Sequence, residues 1–507
     1  MLIKSGVIVA FFTLVSRVFG LARELFVAYT FGTSSIADCV NVAFKFPNLF
    51  RRIFGEGALS AVFVPMFSQK LVASKREAKI FGGKVFTLLL VILIAITIIL
   101  EIIMPYIMIF IAPGFVAQKE KCDLAIVLCR ITTPYLIFIS ITAVFGGMLN
   151  SVKKFAAFAC VPIILNICVI CITYGLQGEY LAHYSIAYSI IIAGVLQVLF
   201  MYVCLYRAGL AFSFTFDVKD KEVRTLVKNM GPATMSYSAQ QLNLFISQSI
   251  ASFLPGAVSI LSYADRLYQL PLALIGISLG TILLPELSQI YKRKDYIGAN
   301  FVQNRVIQVA MIFSIPATCG LVALSMPIIH LIYERGQFSA TDTIMTAHAL
   351  TAFAFGLPAF VLAKILIPIF YANLDMKTPL RISIYSLIIN TLLSIILMIT
   401  FGHVGIAAGY SISAWINVFL LNKYARQHGE FKIIKQTKIF IVKTICLSSV
   451  MLSFIAIITY SFEETFYSES IVIKITSLCC TIIASIIILL LVAFILGMHK
   501  TLIQKKS

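Results

Sequence analysis

Nine basic residues lie within long apolar segments of this sequence, where a charged side chain is costly. A charge at the centre of a bilayer costs at least about 2.5–3.5 kcal/mol, so such residues must be paired, face water or bind an anion. Arginine predominates among them, and its planar guanidinium binds phosphate or carboxylate through two hydrogen bonds at once. The set predicts an intramembrane site for an anionic substrate; its members are Arg17, Arg23, Lys45, Arg51, Arg52, Arg130, Arg266, Lys364 and Lys474. Two of them, Arg130 and Lys474, are expected instead to extend to the outer membrane surface.

The first two predicted helices carry five of these nine residues. Asp38, Asn41, Lys45, Asn48 and Arg52 follow one another at intervals of three and four residues, which places them on one face of a helix. Internal ion pairs are the alternative for any single cation, but five basic residues against three acids leave these two helices with excess positive charge. The acids available for pairing are Glu24, Asp38, Glu56, Glu101 and Asp265.

The elements that carry these residues are long apolar helices. The chain of 507 residues is 60% apolar and 12% charged, whereas soluble domains are nearer one half apolar and one quarter charged. A crossing needs about 20 helical residues, so about 14 crossings fill the chain. A β-barrel would instead need short alternating strands. We predict an all-α integral membrane protein with crossings near 5–30, 36–67, 85–111, 124–149, 156–174, 185–206, 230–253, 260–290, 306–331, 343–371, 380–399, 404–421, 444–460 and 471–498.

Most of the 40 basic residues lie on alternate connections between the predicted helices. Short loops rich in Lys and Arg stay on the cytoplasmic side of a membrane. Both termini are therefore predicted to be cytoplasmic, and the formal net charge of +19 needs no nucleic-acid partner to explain it. The sequence contains no nucleotide-binding loop of the Walker type, so direct use of ATP is not expected.

The sequence repeats itself about 222 positions along the chain. The segment 64–69 recurs at 284–289, Pro105 is matched by Pro327, and Pro134 is matched by Pro358. Six crossings per repeat predict two lobes related by an axis along the membrane normal, a layout typical of transporters. The predicted divisions are a first lobe over 1–217, a second over 218–430, and two added helices over 431–507.

Extended motifs occur in the segments 16–24, 43–54, 56–58, 263–267, 280–285 and 377–379. They resemble those of the MurJ (MviN) family of lipid II flippases, within the multidrug/oligosaccharidyl-lipid/polysaccharide exporter superfamily. The resemblance implies 14 helices in two lobes, with a groove for the lipid tail in the two added helices. It also implies movement of lipid II, the undecaprenyl-pyrophosphate-linked disaccharide-pentapeptide, from the inner to the outer leaflet of a bacterial cytoplasmic membrane by alternating access.

The same resemblance implies roles for particular residues. Some family members bind Na⁺ in the second lobe, and the membrane potential is a second expected driving force. Membrane lipids and the cell-wall synthesis machinery are further expected partners. Substrate-binding positions correspond to Arg17, Arg23, Arg51 and Arg266, and cavity or gating positions to Asp38, Lys45, Arg52, Glu56, Asp265 and Lys364. For Na⁺, the candidate ligands that this chain itself offers are Asn243, Asp375 and Thr391, with only one carboxylate among them.

Other function classes stay open at the level of the residues. An exporter of drugs or of other polyprenyl-linked saccharides would share the architecture but should lack the arginines of the first two helices and the two added helices. A membrane glycosyl- or phosphotransferase would need clustered acids or histidines to activate a nucleophile or hold a metal, and the histidines are scattered near helix ends. A scaffold for wall-synthesis enzymes would tolerate neutral residues in place of the buried cations.

Overall fold

The structure, a computed structural model, describes residues 2–50, 60–176, 183–215, 217, 220–373, 375–427 and 431–498, and its regular elements in these ranges are all helical. In this part of the chain, ten helices are long and apolar enough to cross a membrane. The all-α membrane class is therefore confirmed, while the count of 14 crossings stays a prediction. By its contacts the chain forms two compact units, Met1–Val258 and Ser259–Ser507. These units are defined by contacts within the structure, whereas the predicted lobes are defined by the sequence repeat.

The first unit packs α1 on α7, α7 on α8, α8 on α6 and α2 on α5. The side chains of Phe63, Phe67, Met104 and Met108 are fully buried and form part of its core. The helices are α1 (Leu2–Phe31), α2 (Ser35–Phe50), α3 (Ser60–Ala73), α4 (Lys75–Ile111), α5 (Lys119–Thr132), α6 (Tyr135–Ser151), α7 (Phe155–Gly175), α8 (Ser185–Arg207) and α9 (Lys221–Ala251).

The second unit has its main core where its helices α11, α12 and α15 meet around Leu283, Ile307 and Ile365. The added helix α17 packs on α12 and on α19. The helices are α10 (Ala257–Leu272), α11 (Ser278–Lys292), α12 (Tyr296–Ala323), α13 (Ser325–Tyr333), α14 (Ala340–Ala354), α15 (Leu357–Ala372), α16 (Lys377–Gln427), α17 (Lys435–Ser461), α18 (Glu463–Phe466) and α19 (Ile471–Ile495).

Several predicted crossings are broken in the middle. The fourth divides into α5 and α6 at Thr133 and Pro134, and the tenth into α14 and α15 just before Pro358. Proline lacks an N–H and is best placed in the first turn of a helix. Both prolines, which the repeat pairs with each other, therefore begin the second half of a broken crossing, as the prediction of a repeat requires.

The predicted eleventh and twelfth crossings are joined within α16, whose backbone leaves helical geometry at Gly402, with φ 57° and ψ −135°. The amide of Asn417 donates to the Ser386 hydroxyl at 2.9 Å, and a Cβ on Gly405 would lie 2.2 Å from the Leu397 carbonyl oxygen. These contacts join residues at similar sequence distances on either side of Gly402. The chain therefore reverses there, and α16 is an antiparallel pair of helices joined by a turn at Gly402.

Helix α9 belongs to the first unit by its contacts, although the repeat pairs it with α1. At its start, Lys84 of α4 donates to Asp217 and Asp220 at 2.9 and 2.7 Å; near its end, the Ser249 hydroxyl donates to the Phe110 carbonyl at 2.8 Å. The hydrogen bond from Lys84 lowers the pKa of Asp220, and N–H groups of the first turn of α9 act in the same direction. Asp220 thus remains ionised and caps α9, which runs parallel to α4.

We expect Gly114→Ala to destabilise the first unit. A Cβ at Gly114 would lie 2.3 Å from the Ser252 carbonyl oxygen, and the Gly114 N–H already donates to the Ser252 hydroxyl at 2.9 Å. Overpacking of this kind costs about 1–3 kcal/mol. Gly175→Ala is the matched control because its Cβ would meet nothing within 4 Å. Thermal unfolding in detergent should separate the two variants, and equal melting temperatures would contradict the packing described.

Candidate functional site

The predicted substrate-binding arginines of the first helix lie in different surroundings. Arg17 is exposed, whereas Arg23 is only 8% exposed. The Arg23 guanidinium lies 3.3 Å from the Glu24 carboxylate and 4.3 Å from the centre of the Phe44 ring on α2. Arg23 therefore reaches across from α1 to the segment of α2 that carries the half-buried Lys45. The predicted site residues Arg51, Arg52 and Glu56 lie outside the described residues.

The polar face predicted for α2 is partly satisfied by its own backbone. The side-chain amides of Asn41 and Asn48 each donate to the carbonyl four residues earlier, at 2.9 and 2.8 Å. Pro47 has no N–H to donate to Ala43, and the buried Thr132 hydroxyl of α5 donates to that carbonyl instead, at 3.0 Å. Thr132 therefore replaces the hydrogen bond that Pro47 cannot make within α2, a role that no sequence motif indicated.

Asp38 lies in a buried cluster, which we name the Asp38 cluster: Asp38, Lys121 and Gly256. The Asp38 side chain is 0% exposed and its carboxylate lies 2.7 Å from the Lys121 ammonium, itself 5% exposed. The Gly256 N–H donates to the same carboxylate oxygen at 3.0 Å, and the ammonium lies 4.2 Å from the centre of the Phe115 ring. The cluster joins α2, α5 and the α9–α10 connection. The predicted fourth crossing begins near 124 and leaves Lys121 outside it, whereas the structure buries Lys121 within α5, which is a correction.

In the second unit, Asp265 and Arg266 lie on α10 and Lys364 on α15. Asp265 accepts a hydrogen bond from Gln269, one turn further along, and Arg266 is exposed. A Cβ on Gly280 would lie 3.0 Å from the Lys364 carbonyl oxygen, so the glycine permits close packing of α11 on α15. Between α10 and α11 the chain forms a π-helical turn over Ala273–Ile277. Such turns are frequent at functional sites, and the sequence did not predict this one.

The predicted sodium ligands do not converge in the described part of the chain. Asp375 accepts hydrogen bonds from the N–H groups of Lys377 and Thr378, both at 3.0 Å, and so caps α16. Thr391 lies on the same helix, about 21 Å beyond Lys377 at 1.5 Å per residue, and its hydroxyl donates to Leu387 at 2.8 Å. Asp375 and Thr391 therefore cannot ligate one ion in this structure. The Asn243 side chain lies outside the described residues.

Comparison with known proteins decides which family carries this arrangement. The family model for the lipid II flippase MurJ matches residues 27–478. The chain belongs to the MurJ family. A probable MurJ of Rickettsia prowazekii is 52% identical over 496 residues, which cover 98% of each chain. A solved MurJ in an inward closed conformation is 27% identical, with a TM-score of 0.81 over 98% of this chain and 100% of that one.

The MurJ fold extends to the wider superfamily. An inward-facing MATE transporter of the MOP superfamily matches with a TM-score of 0.68 and 15% identity, over 82% of this chain and 94% of that one, which shows a shared fold alone. Membership of MurJ confirms the predicted family and makes the chain a multi-pass membrane transporter of a bacterial family rather than an enzyme. The roles of the individual basic residues within MurJ stay predictions for this chain.

Proposed function

We propose that this chain moves lipid II from the inner to the outer leaflet of a bacterial cytoplasmic membrane. The observation that carries the proposal is the buried Arg23, held between α1 and α2 in a chain of the MurJ family. Lipid II presents a pyrophosphate between an apolar tail and a polar headgroup. Such an anion adds a charged partner to the buried guanidinium beside Glu24, whereas an uncharged or cationic drug adds none.

Arg17, Arg23, Arg51 and Arg266 are the groups proposed to bind the pyrophosphate and headgroup. Lys45, Arg52, Glu56, Asp265 and Lys364 would adjust the charge around the substrate. Alternating access then exposes the bound headgroup first to the inner and later to the outer side, while the lipid tail stays in the bilayer. The apolar, largely exposed faces of α17 and α19 support a role in receiving that tail.

Membrane potential is the proposed driving force for return of the empty carrier. Moving one elementary charge across the membrane is worth about 2.3 kcal/mol per 100 mV. With the inside negative and both termini cytoplasmic, the potential favours an inward position for unpaired cations once the substrate has left. Coupling to Na⁺ stays a prediction that requires ligands other than Asp375 and Thr391 together.

A gating role for Asp38 is proposed on different grounds from those for the cations. The Asp38 cluster ties three segments at the end of the first unit opposite Lys84. An ion pair shielded from water is held more firmly than an exposed one and opens only when its charges find other partners. We propose that the cluster keeps that end of the unit closed in the present conformation.

The proposed function can be tested in bacterial cells depleted of their own flippase and supplied with this chain. Lipid II accessible to a membrane-impermeant probe at the outer leaflet should rise to the level of undepleted cells. A chain that carried only drugs, or that modified lipid II chemically, would leave this accessibility low. Unchanged accessibility at normal protein abundance would contradict the proposal.

A further inference from the structure

A separate cavity lies on the first unit, where α6 ends, α7 begins and α8 ends. Its volume is about 390 Å³, and its lining includes Lys153, Lys154 and Arg207 together with the apolar side chains of Phe155 and Phe200. Small-molecule sites in proteins have volumes of roughly 300–1,000 Å³. The cavity is therefore large enough for a headgroup-sized ligand, and none of the sequence motifs discussed above includes it.

The three basic residues of this cavity carry charge that nothing in the described part of the chain neutralises. Lys153, Lys154 and Arg207 are all exposed and make no ion pair there. No acidic residue is among the described residues that line the cavity. By contrast, the nearby Lys70 and Lys84 are paired with acids at 2.6 and 2.7 Å. The cavity therefore gathers three cations without an ion pair around one apolar opening.

The backbone around the cavity also favours an anion. Lys153 has a φ of 62°, a left-handed conformation that glycine adopts freely and lysine only at a cost. Lys154 begins α7 without a side-chain cap, so the first N–H groups of that helix remain available beside the two lysines. The N–H groups at the start of α7 add to the charge of the three side chains.

The apolar part of the lining determines which anion fits. Phe155 and Phe200 form one wall of the cavity. The face of α8 that continues from it exposes Leu199, Val203 and Tyr206. A free phosphate ion would leave these apolar side chains in water. A membrane phospholipid would place its phosphate among the cations and its acyl chains along α8, as basic pockets between membrane helices do for acidic headgroups.

We propose that this cavity binds an anionic diacyl phospholipid of the surrounding membrane. The phosphate lies between Lys153, Lys154 and Arg207, and the acyl chains lie against Phe200 and the exposed face of α8. The site is separate from the arginines assigned to lipid II, so its occupancy is measured by lipid binding and not by transport. Failure of this inference would leave the flippase proposal unaffected.

The test uses the full chain in detergent with phosphatidylglycerol or zwitterionic phosphatidylcholine as the probe, and native mass spectrometry as the readout. Wild-type protein should retain phosphatidylglycerol in preference to phosphatidylcholine. A variant with Lys153→Gln, Lys154→Gln and Arg207→Gln should bind phosphatidylglycerol at least about tenfold more weakly. The matched control, Lys292→Gln, Arg293→Gln and Lys294→Gln, removes the same charge from an exposed turn of the second unit and should bind as wild type does.

Three results would overturn the inference: undiminished binding by the cavity variant, equal loss by the control variant, or displacement of phosphatidylglycerol by inorganic phosphate. Chemical labelling of the wild-type protein covers the case in which the variant does not fold. Phosphatidylglycerol should slow the reaction of Lys153 and Lys154 with an amine reagent and leave Lys292 and Lys294 unchanged. Equal labelling with and without the lipid would also overturn the inference.

Discussion

Cells that depend on this chain for lipid II transport are expected to stop growing when Arg23 is replaced by alanine. The Arg23 side chain is nearly buried and lies against Phe44, so its loss removes a cation that water cannot replace. Hydrogen bonds to charged groups contribute about 1.5–3 kcal/mol each, so transport should fall at least about tenfold. Arg23→Lys should retain part of the activity, because it keeps the charge but loses the bidentate geometry. Growth after depletion of the native flippase measures both.

The control for Arg23 is Lys474→Ala, which removes one positive charge from α19, a membrane helix outside the predicted site. It should support normal growth at equal protein abundance. Arg266→Ala tests the second unit in the same way, and it should resemble Arg23→Ala. Full growth with Arg23→Ala would show that transport does not need the buried cation and would contradict its assignment to the substrate.

The second large effect concerns stability and the Asp38 cluster. Removing one partner of a buried ion pair typically costs 3–5 kcal/mol, because the other charge stays buried without compensation. Asp38→Asn leaves the Lys121 ammonium facing Phe115, and Lys121→Met leaves the Asp38 carboxylate with the Gly256 N–H. Each single variant should therefore unfold at a markedly lower temperature. The double variant should lose much less stability than the two single losses added together.

Lys119→Met is the control for the Lys121 substitution, because Lys119 begins the same helix and is exposed. It should change the free energy of unfolding by no more than about 0.5 kcal/mol. Simple additivity of the two single variants, measured by thermal unfolding in detergent, would contradict coupling between Asp38 and Lys121.

Sequence reasoning was most successful where one residue type has one physical consequence. Proline cannot continue a helix without losing a hydrogen bond, so Pro134 and Pro358 both mark helix breaks. Apolar length predicted the membrane helices, and arginine within them predicted an anionic substrate consistent with the family. The break between the eleventh and twelfth crossings was also predicted from the sequence. That the chain reverses at the single residue Gly402 was not.

Contacts between side chains that lie far apart in the chain could not be predicted from the sequence. Lys121 lies among other charged residues, and the sequence does not distinguish it from Lys119. It is nevertheless buried, because Asp38, 83 residues earlier, lies opposite it. The same holds for Thr132, whose hydroxyl donates to the Ala43 carbonyl that Pro47 leaves without a helical hydrogen bond. Asp375 and Thr391 show the reverse case: both carry oxygen atoms that could bind Na⁺, but Asp375 caps the start of α16 and Thr391 lies several turns along it. The position of α9 in the first unit depends on contacts with α4 that the repeat does not encode.

The most direct test of the flippase proposal is transport by the purified chain alone. Lipid II would be placed in proteoliposomes, and its exposure to an impermeant reagent would be followed with wild-type protein, with Arg23→Ala and without protein. We predict that wild-type protein exposes lipid II from the inner leaflet, whereas Arg23→Ala behaves like protein-free vesicles. Equal exposure with and without wild-type protein would contradict the proposal that this chain flips lipid II.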